Sequence, residues 1–262
     1  MPLPLGRIFV FPIKSLDGLS VDAARITAGG ILEHDRIYAI VDEAGAYVNA
    51  KRTARIQLLR CAYDAEMREV GLWEEGQSQR TMFCLGEPAR LNAWLGDFFG
   101  FAVKLVHESK SGFPDDRTAF GPTVVSEASL RAVASWYPGL SLESVRKRFR
   151  TNLEIGDMAA FEEDRLFGGP DELLPFSIGA VQFRGHNPCQ RCVVPTRDSA
   201  TGAPIPGFQK TFMELRRQHL PGWADSRRFN HYYRFAVNTS VEASEAGKII
   251  RVGDPVCFAP RG

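Results

Sequence analysis

Six residues, Asn187-Pro188-Cys189-Gln190-Arg191-Cys192, hold the only close cysteine pair of the sequence, with an arginine between the two sulfurs. A thiolate is both a soft metal ligand and a good nucleophile, and a neighbouring guanidinium favours its charged form. Pro188 and Pro195 stiffen the backbone on either side, and a polar turn, Asp198-Ser199-Ala200-Thr201-Gly202, follows. A closed zinc site is disfavoured: it needs four nitrogen or sulfur ligands, and the sequence has no second close cysteine or histidine pair. His186 lies just before Cys189, but His34, His107, His219 and His231 are scattered. A thioredoxin-like redox pair wants a helix directly after it, whereas Val193-Val194-Pro195 disfavours one. Two inert thiols in a β core remain an alternative, since free cysteine packs as a small hydrophobe.

A second set of residues suits an anion. Lys14-Ser15 occupies a turn after the first predicted strand, and Arg36 opens a strand after His34-Asp35. Arg150 and Asn152 follow the basic run that begins at Arg146. The formal net charge is only +1, so cations placed where strands end point to a local ligand, a phosphate above all, rather than to a broad basic surface. Lys51-Arg52 and Arg146 to Arg148 are read as solvated.

The rest of the composition bounds the class. At 262 residues, 44% hydrophobic and 24% charged, the chain is an ordinary folded protein of one large or two modest domains. Its charge argues against nucleic acid or an acidic membrane as a partner. Five cysteines, an odd number and mostly far apart, do not form a secreted disulfide framework. No signal-peptide pattern or membrane-length apolar run is present, so a cytoplasmic location is expected.

The elements that must position these groups are mostly strands. Arg7 to Pro12, Ala23 to Ala28, a hairpin of Arg36 to Asp42 with Ala46 to Ala50, Ile56 to Tyr63, Glu69 to Trp73 and Arg80 to Leu85 follow one another through short turns. Leu91, Trp94, Leu95 and Phe98 predict a helix within Pro88 to Phe99, and Phe101 to Val106 a strand. Lys110 to Thr118 is polar and turn-rich, a linker or loop. Ser126 caps a predicted helix through Leu130 and Val133; Val145 to Ile155 joins a basic stretch to a strand, and Ala180 to Arg184 leads into the cysteines. A helix over Phe212 to Leu220 and strands over Tyr233 to Val237 and Lys248 to Cys257 complete a mainly β chain with a few helices.

The motifs together resemble a known family. Phe11-Pro12-Ile13-Lys14-Ser15 with Asp35-Arg36 is similar to the N-terminal β-barrel of the MOSC proteins, named after the molybdenum cofactor sulfurase C-terminal domain. Phe149-Arg150-Thr151-Asn152, the cysteine motif, Asp198 to Gly202 and Val252-Gly253-Asp254-Pro255-Val256 resemble, in order, the MOSC domain itself. The resemblance implies an N-terminal β-barrel-like domain over residues 1–110, packed on a cofactor-binding MOSC β-barrel over 111–262. It implies a molybdenum cofactor, a pterin dithiolene with a phosphate. Cys192 is then the metal ligand and catalytic residue, and Lys14, Ser15, Arg36, Arg150, Asn152, Gln190 and Arg191 contact pterin and phosphate. Lys51 stands where the family usually has arginine, and Phe120-Gly121-Pro122 is less polar than the family loop.

Within the MOSC proteins the pattern is similar to that of the mitochondrial amidoxime-reducing component and its bacterial counterparts, which implies reduction of a small N-hydroxylated substrate. Electrons would come from a separate partner, a cytochrome b5-like or ferredoxin-like protein with a flavin reductase. The sequence has no GxGxxG motif and no cysteine set for an iron–sulfur cluster. The membrane anchor and ferredoxin-like domain of some relatives are not expected. A cofactor or persulfide carrier without turnover, or a structural partner that has lost the cofactor, are the rival expectations. Asp198 and His186 are the proton-donor candidates.

Overall fold

A computed structural model describes residues 2–116 and 118–258. The chain begins with β1 (Leu3–Val10), then the short β2 (Leu19–Val21) and β3 (Ala23–Arg25), and β4 (Tyr38–Asp42). A three-stranded antiparallel meander of β5 (Leu59–Tyr63), β6 (Glu69–Glu74) and β7 (Thr81–Cys84) follows, then helix α1 (Ala89–Phe99) and β8 (Val103–His107). Leu91, Leu95, Phe98 and Phe99 are the buried face of α1, and Gly100 ends it at φ +80°, a left-handed stop that favours glycine. The elements from β4 to β8 enclose one core, which includes Ile40, Leu59, Val70, Leu72 and Phe83.

The second half runs through β9 (Val124–Ser126), α2 (Glu127–Ser135), α3 (Leu142–Phe149), β10 (Leu153–Ile155), β11 (Leu174–Ile178), β12 (Val181–Gln190), α4 (Phe208–Gln218), β13 (Arg234–Ser240), β14 (Ile249–Arg251) and β15 (Pro255–Phe258). Seven strands close a barrel in the order β1-β10-β9-β13-β12-β11-β15, with β15 pairing back onto β1. Closure leaves no exposed edge among these strands. Its core gathers Leu5, Ile8, Leu153, Phe176, Val181, Phe183 and Val237. A third cluster, built from Val125, Phe149, Phe208, Phe212 and Phe235, lies beneath α2, α3 and α4.

Several local expectations change. The first strand does not join the meander that follows it; it pairs with β10 and β15 and so completes the barrel of the second half. Apolar alternation marks a strand but does not name its partner. The regular partner of β4 is β8, five residue pairs in register from Tyr38↔His107 to Asp42↔Val103, and the segment after the Glu43-Ala44-Gly45 turn contributes only the Val41↔Tyr47 bridge. Val145 to Phe149 lies in helix α3, capped by Ser141 through its side chain, and strand begins only at Leu153. Strand β11 was not foreseen, and β12 runs on through Gln190, so Cys189 is a strand residue. Of the Lys110–Thr118 loop, Arg117 lies outside the described residues. No helix among the described residues is long and apolar enough to cross a membrane.

Candidate functional site

Strand β1 leaves the barrel at Val10, and the next residues carry Ile13 and Leu16 into the core of the meander. Lys14 and Ser15 therefore sit where the two cores meet. A cleft of about 780 Å³ opens at this junction. It is lined by Lys14, Ser15, Arg36 and Arg150 and by the whole run from Cys189 to Cys192. Of the residues predicted to hold the cofactor or the metal, all but Asn152 line it. Ligand sites favour such junctions.

The cationic group is built tightly. Lys14 Nζ donates to Asp115 Oδ1 at 2.6 Å and to the Phe113 carbonyl at 2.8 Å. Burial lowers the Lys14 pKa, and Asp115 opposes that shift. The cleft walls oppose the charge of Asp115 itself, but Lys14 and Arg36 outweigh them and hold its carboxyl down at about 2. Arg36 donates to Asp35 Oδ2 at 2.7 Å, while Asp35 Oδ1 accepts from the Phe11 amide. Both Arg36 and Arg150 lie over the Phe11 ring, at 5.3 and 4.1 Å from its centroid. Burial first, and then the neighbouring Arg36, lower the Arg150 pKa. One of its nitrogens, Nη2, is buried without a partner.

Backbone strain concentrates at the same place. Ser15, Arg36 and Arg150 have φ of +74°, +52° and +50°. Left-handed backbone at a residue other than glycine costs about 1–3 kcal/mol and persists where the surroundings impose it, often at binding sites. Here it ends α3 at Arg150 and turns both Lys14-Ser15 and Asp35-Arg36 into the cleft.

The two cysteines of the motif line the same cleft. Cys189 and Cys192 are free and half-buried, and Arg191 Nη1 lies 3.0 Å from Cys189 Sγ. Arg191 also donates from Nη2 to the Phe149 carbonyl, which fixes its guanidinium beside the thiol. They are not core thiols. Cys61 shows the contrast: burial, reinforced by Asp17, pushes its thiol up to about 12. Val194–Thr196 makes a single 3-10 turn rather than a helix. The loop beyond is clamped by Arg148, which donates to the carbonyls of Pro195 and Arg197 and pairs with Asp198 at 3.3 Å, and by Arg60, which donates to the Ser199 carbonyl. Arg148, read as solvated from sequence, is thus buried and holds the loop that follows the cysteines.

Other predicted residues serve behind the cleft. Asn152 is fully buried; its Oδ1 accepts from the amide and hydroxyl of Thr123, each at 3.2 Å, and its Nδ2 donates to the Phe9 carbonyl at 3.1 Å. Asp198 caps its own turn, accepting from the amides of Ala200 and Thr201, and these bonds, Thr201 foremost, keep its carboxyl below the usual range. His186 bonds Ser240 through Nε2 at 2.7 Å, with its pKa lowered by burial. Neither lines the cleft, and neither is poised there to give up a proton.

Sequence reading missed Asp115, Asp116, Arg228, Arg234 and Asn238, all of which line the cleft. Arg234 carried the same signal as Arg36, a cation opening a strand. What aims it is a β-bulge: between Pro188↔Val237 and Gln190↔Arg234 the β13 strand carries an extra residue, with Ala236 at φ +66°. Gly121 lets the opposite lip approach β13, since a Cβ there would lie 2.7 Å from Thr239 Oγ1 and 2.9 Å from the Thr239 carbonyl. No cluster of three or more His, Cys, Asp and Glu able to hold a metal ion occurs among the described residues. One thiolate beside several cations can instead complete the coordination of a metal that arrives with its own anionic ligand.

The family profile for the MOSC N-terminal beta barrel domain matches residues 4–93, and that for the MOSC domain matches residues 118–257. Mitochondrial amidoxime-reducing component 1 of Mus musculus is 26% identical over 298 residues, covering 96% of this chain and 81% of that protein. Mitochondrial amidoxime reducing component 2 of Bos taurus is 25% identical over 296 residues, covering 96% and 82%. Human molybdenum cofactor sulfurase is 24% identical over 249 residues, 77% of this chain, and the match spans only 27% of the sulfurase.

Proposed function

This chain belongs to the MOSC family, and from that membership we propose that its cleft binds a molybdenum cofactor and reduces small N-hydroxylated compounds such as amidoximes and hydroxylamines. One observation carries the reading: Cys192 and Arg150 from the second half of the chain and Lys14 and Arg36 from its first 40 residues open on one cleft. The residues fit the group. A buried, unpartnered guanidinium nitrogen on Arg150, next to Arg36, suits a phosphate, and a half-buried thiol on a clamped loop suits a soft metal.

When bound, the cofactor supplies two-electron oxygen-atom transfer chemistry. The chain's own residues do the rest. Cys192 holds the metal and tunes its electronics through a thiolate bond. Lys14, Ser15, Arg36 and Arg150 grip the phosphate and pterin, and Gln190 and Arg191 flank the ligand. Asn152 acts through Arg36 and Thr123, with Arg36 Nη1 at 3.4 Å from its Oδ1. Electrons enter from a separate donor protein.

A second reading, a cofactor or persulfide carrier, is favoured by Cys189, a second thiol in the cleft held 3.0 Å from the Arg191 guanidinium. Anaerobic turnover separates the two. Molybdenum-loaded protein with reduced viologen should convert benzamidoxime to benzamidine, and with NADH alone it should do nothing until a reductase and an electron carrier are added. A loaded, reducible site that converts no N-hydroxylated compound would make the protein a carrier.

A further inference from the structure

Two guanidinium groups in the wall beside the cysteines have no part in the scheme above. Arg234 opens β13 directly across from Gln190, two residues before Cys192. Its Nη1 donates to the Pro188 carbonyl at 2.9 Å and its Nη2 to Asn230 Oδ1 at 2.7 Å, while its Nε is buried without a partner. Arg228 donates from Nη1 to the Pro170 carbonyl at 2.5 Å and from Nη2 to the His186 carbonyl. Among the described residues neither makes an ion pair, whereas Lys14, Arg36 and Arg148 in the same cleft are matched by Asp115, Asp35 and Asp198.

Their direct hydrogen-bond acceptors are all neutral, and the nearby carboxylate whose charge Arg228 also feels, Asp225, is already paired with Arg227 at 2.6 Å. Burial above all lowers the Arg234 pKa; Cys189 opposes that shift, and the nearby Arg228 adds to it. Like charges fixed side by side in a half-buried wall are costly unless an anion completes them. Guanidinium forks match the two oxygens of a carboxylate or the face of a sulfonate or phosphate. Both side chains are half-buried and line the cleft rather than standing on the outer surface, which suits a small ligand better than the face of an acidic protein. The cofactor's single phosphate already has its own group in Lys14, Arg36 and Arg150.

We propose that Arg228 and Arg234 form a separate anion subsite that selects N-hydroxylated substrates carrying a carboxylate or comparable oxyanion. The N-hydroxyl half of this statement rests on the reductase reading; the anion half rests on the two arginines.

Calorimetric titration of oxidised, molybdenum-loaded protein, where no turnover occurs, tests it. The ligands are 4-carboxybenzamidoxime and neutral benzamidoxime, with the wild type, Arg234→Gln, Arg228→Gln and Arg234→Lys. Circular dichroism and bound pterin are measured on each protein. The wild type should bind the carboxylated compound about tenfold or more tighter. That preference should fall toward unity in the glutamine variants and recover in part in Arg234→Lys, with pterin content retained. Equal affinity for both compounds in the wild type overturns the subsite, whatever the variants do. Loss of pterin along with the preference in folded Arg234→Lys also overturns it, by placing the arginine on the cofactor. Preferential binding without reduction of either compound would sink the reductase reading alone; reduction without preference would sink the subsite alone.

Discussion

The guanidinium of Arg150 donates to the carbonyl of Leu16, joining two turns that lie 134 residues apart in the chain. Leu16 belongs to the core of the meander, and Arg150 ends the helix that packs on the barrel. One side chain thus ties the two sides of the cleft together through Nη1 and leaves Nη2 buried and unpartnered for a ligand. Its left-handed backbone, at φ +50°, is what turns it from the end of α3 toward that junction.

Replacing Arg150 by alanine should weaken cofactor retention about tenfold to a hundredfold, the effect of losing a charge-assisted contact. Loss of the Leu16 bond should also cost roughly 1 kcal/mol of stability. Lys14→Ala should weaken retention similarly, while Arg150→Lys recovers part of it, because lysine has no fork. Pterin content after gel filtration, set beside urea unfolding, checks this. Alanine variants that keep cofactor as well as the wild type would make these residues structural.

Asn152→Ala should act the other way, on stability first. It strips partners from the Thr123 amide and the Phe9 carbonyl inside the barrel wall, at a cost of roughly 2 kcal/mol or more. Urea unfolding should show the loss. A variant as stable as the wild type but unable to retain pterin would instead make Asn152 a direct cofactor contact.

Much of the site was legible because its signals are local. A cysteine pair with an intervening arginine, or a lysine in a turn after a strand, reads the same in any fold. What stayed hidden depends on pairings distant in sequence. Nothing near Leu3–Val10 says that it closes a barrel with β10 and β15. Nothing near Arg234 says that it faces Gln190, because a bulge at Ala236 sets that register. The loop carrying Asp115 was marked as polar and turn-rich, and its acidic residue matters only because Lys14 lies 2.6 Å away. Helix α3 was hidden for another reason: its run of three basic residues and short length weaken the apolar periodicity that reveals a helix.

The buried Glu163 predicts a pH dependence. Burial, with Asp164 beside it, pushes its carboxyl up to about 7 from 4.5. It accepts from Ser129 Oγ at 2.8 Å, in a network that also holds the cap of α2. Between these two values the folded state holds a proton that the unfolded chain has released. Stability from this group is therefore full below about 4.5 and is lost as pH rises through about 7. Glu163→Gln should remove that decline, so its stability relative to the wild type should rise from pH 5 to pH 8. Thermal melts across this range check it, and parallel curves for the two proteins would contradict it.

The central claim, that Cys192 is the protein's bond to a molybdenum cofactor, is tested most directly by metal content. Protein made in a host competent in cofactor synthesis should carry about one molybdenum per chain, as a single ligating thiolate implies. Cys192→Ser should carry almost none, since a hydroxyl is a poor soft-metal ligand, and Cys189→Ser should keep most of it. A wild type without molybdenum, or equal and complete loss from both serine variants, would contradict the account.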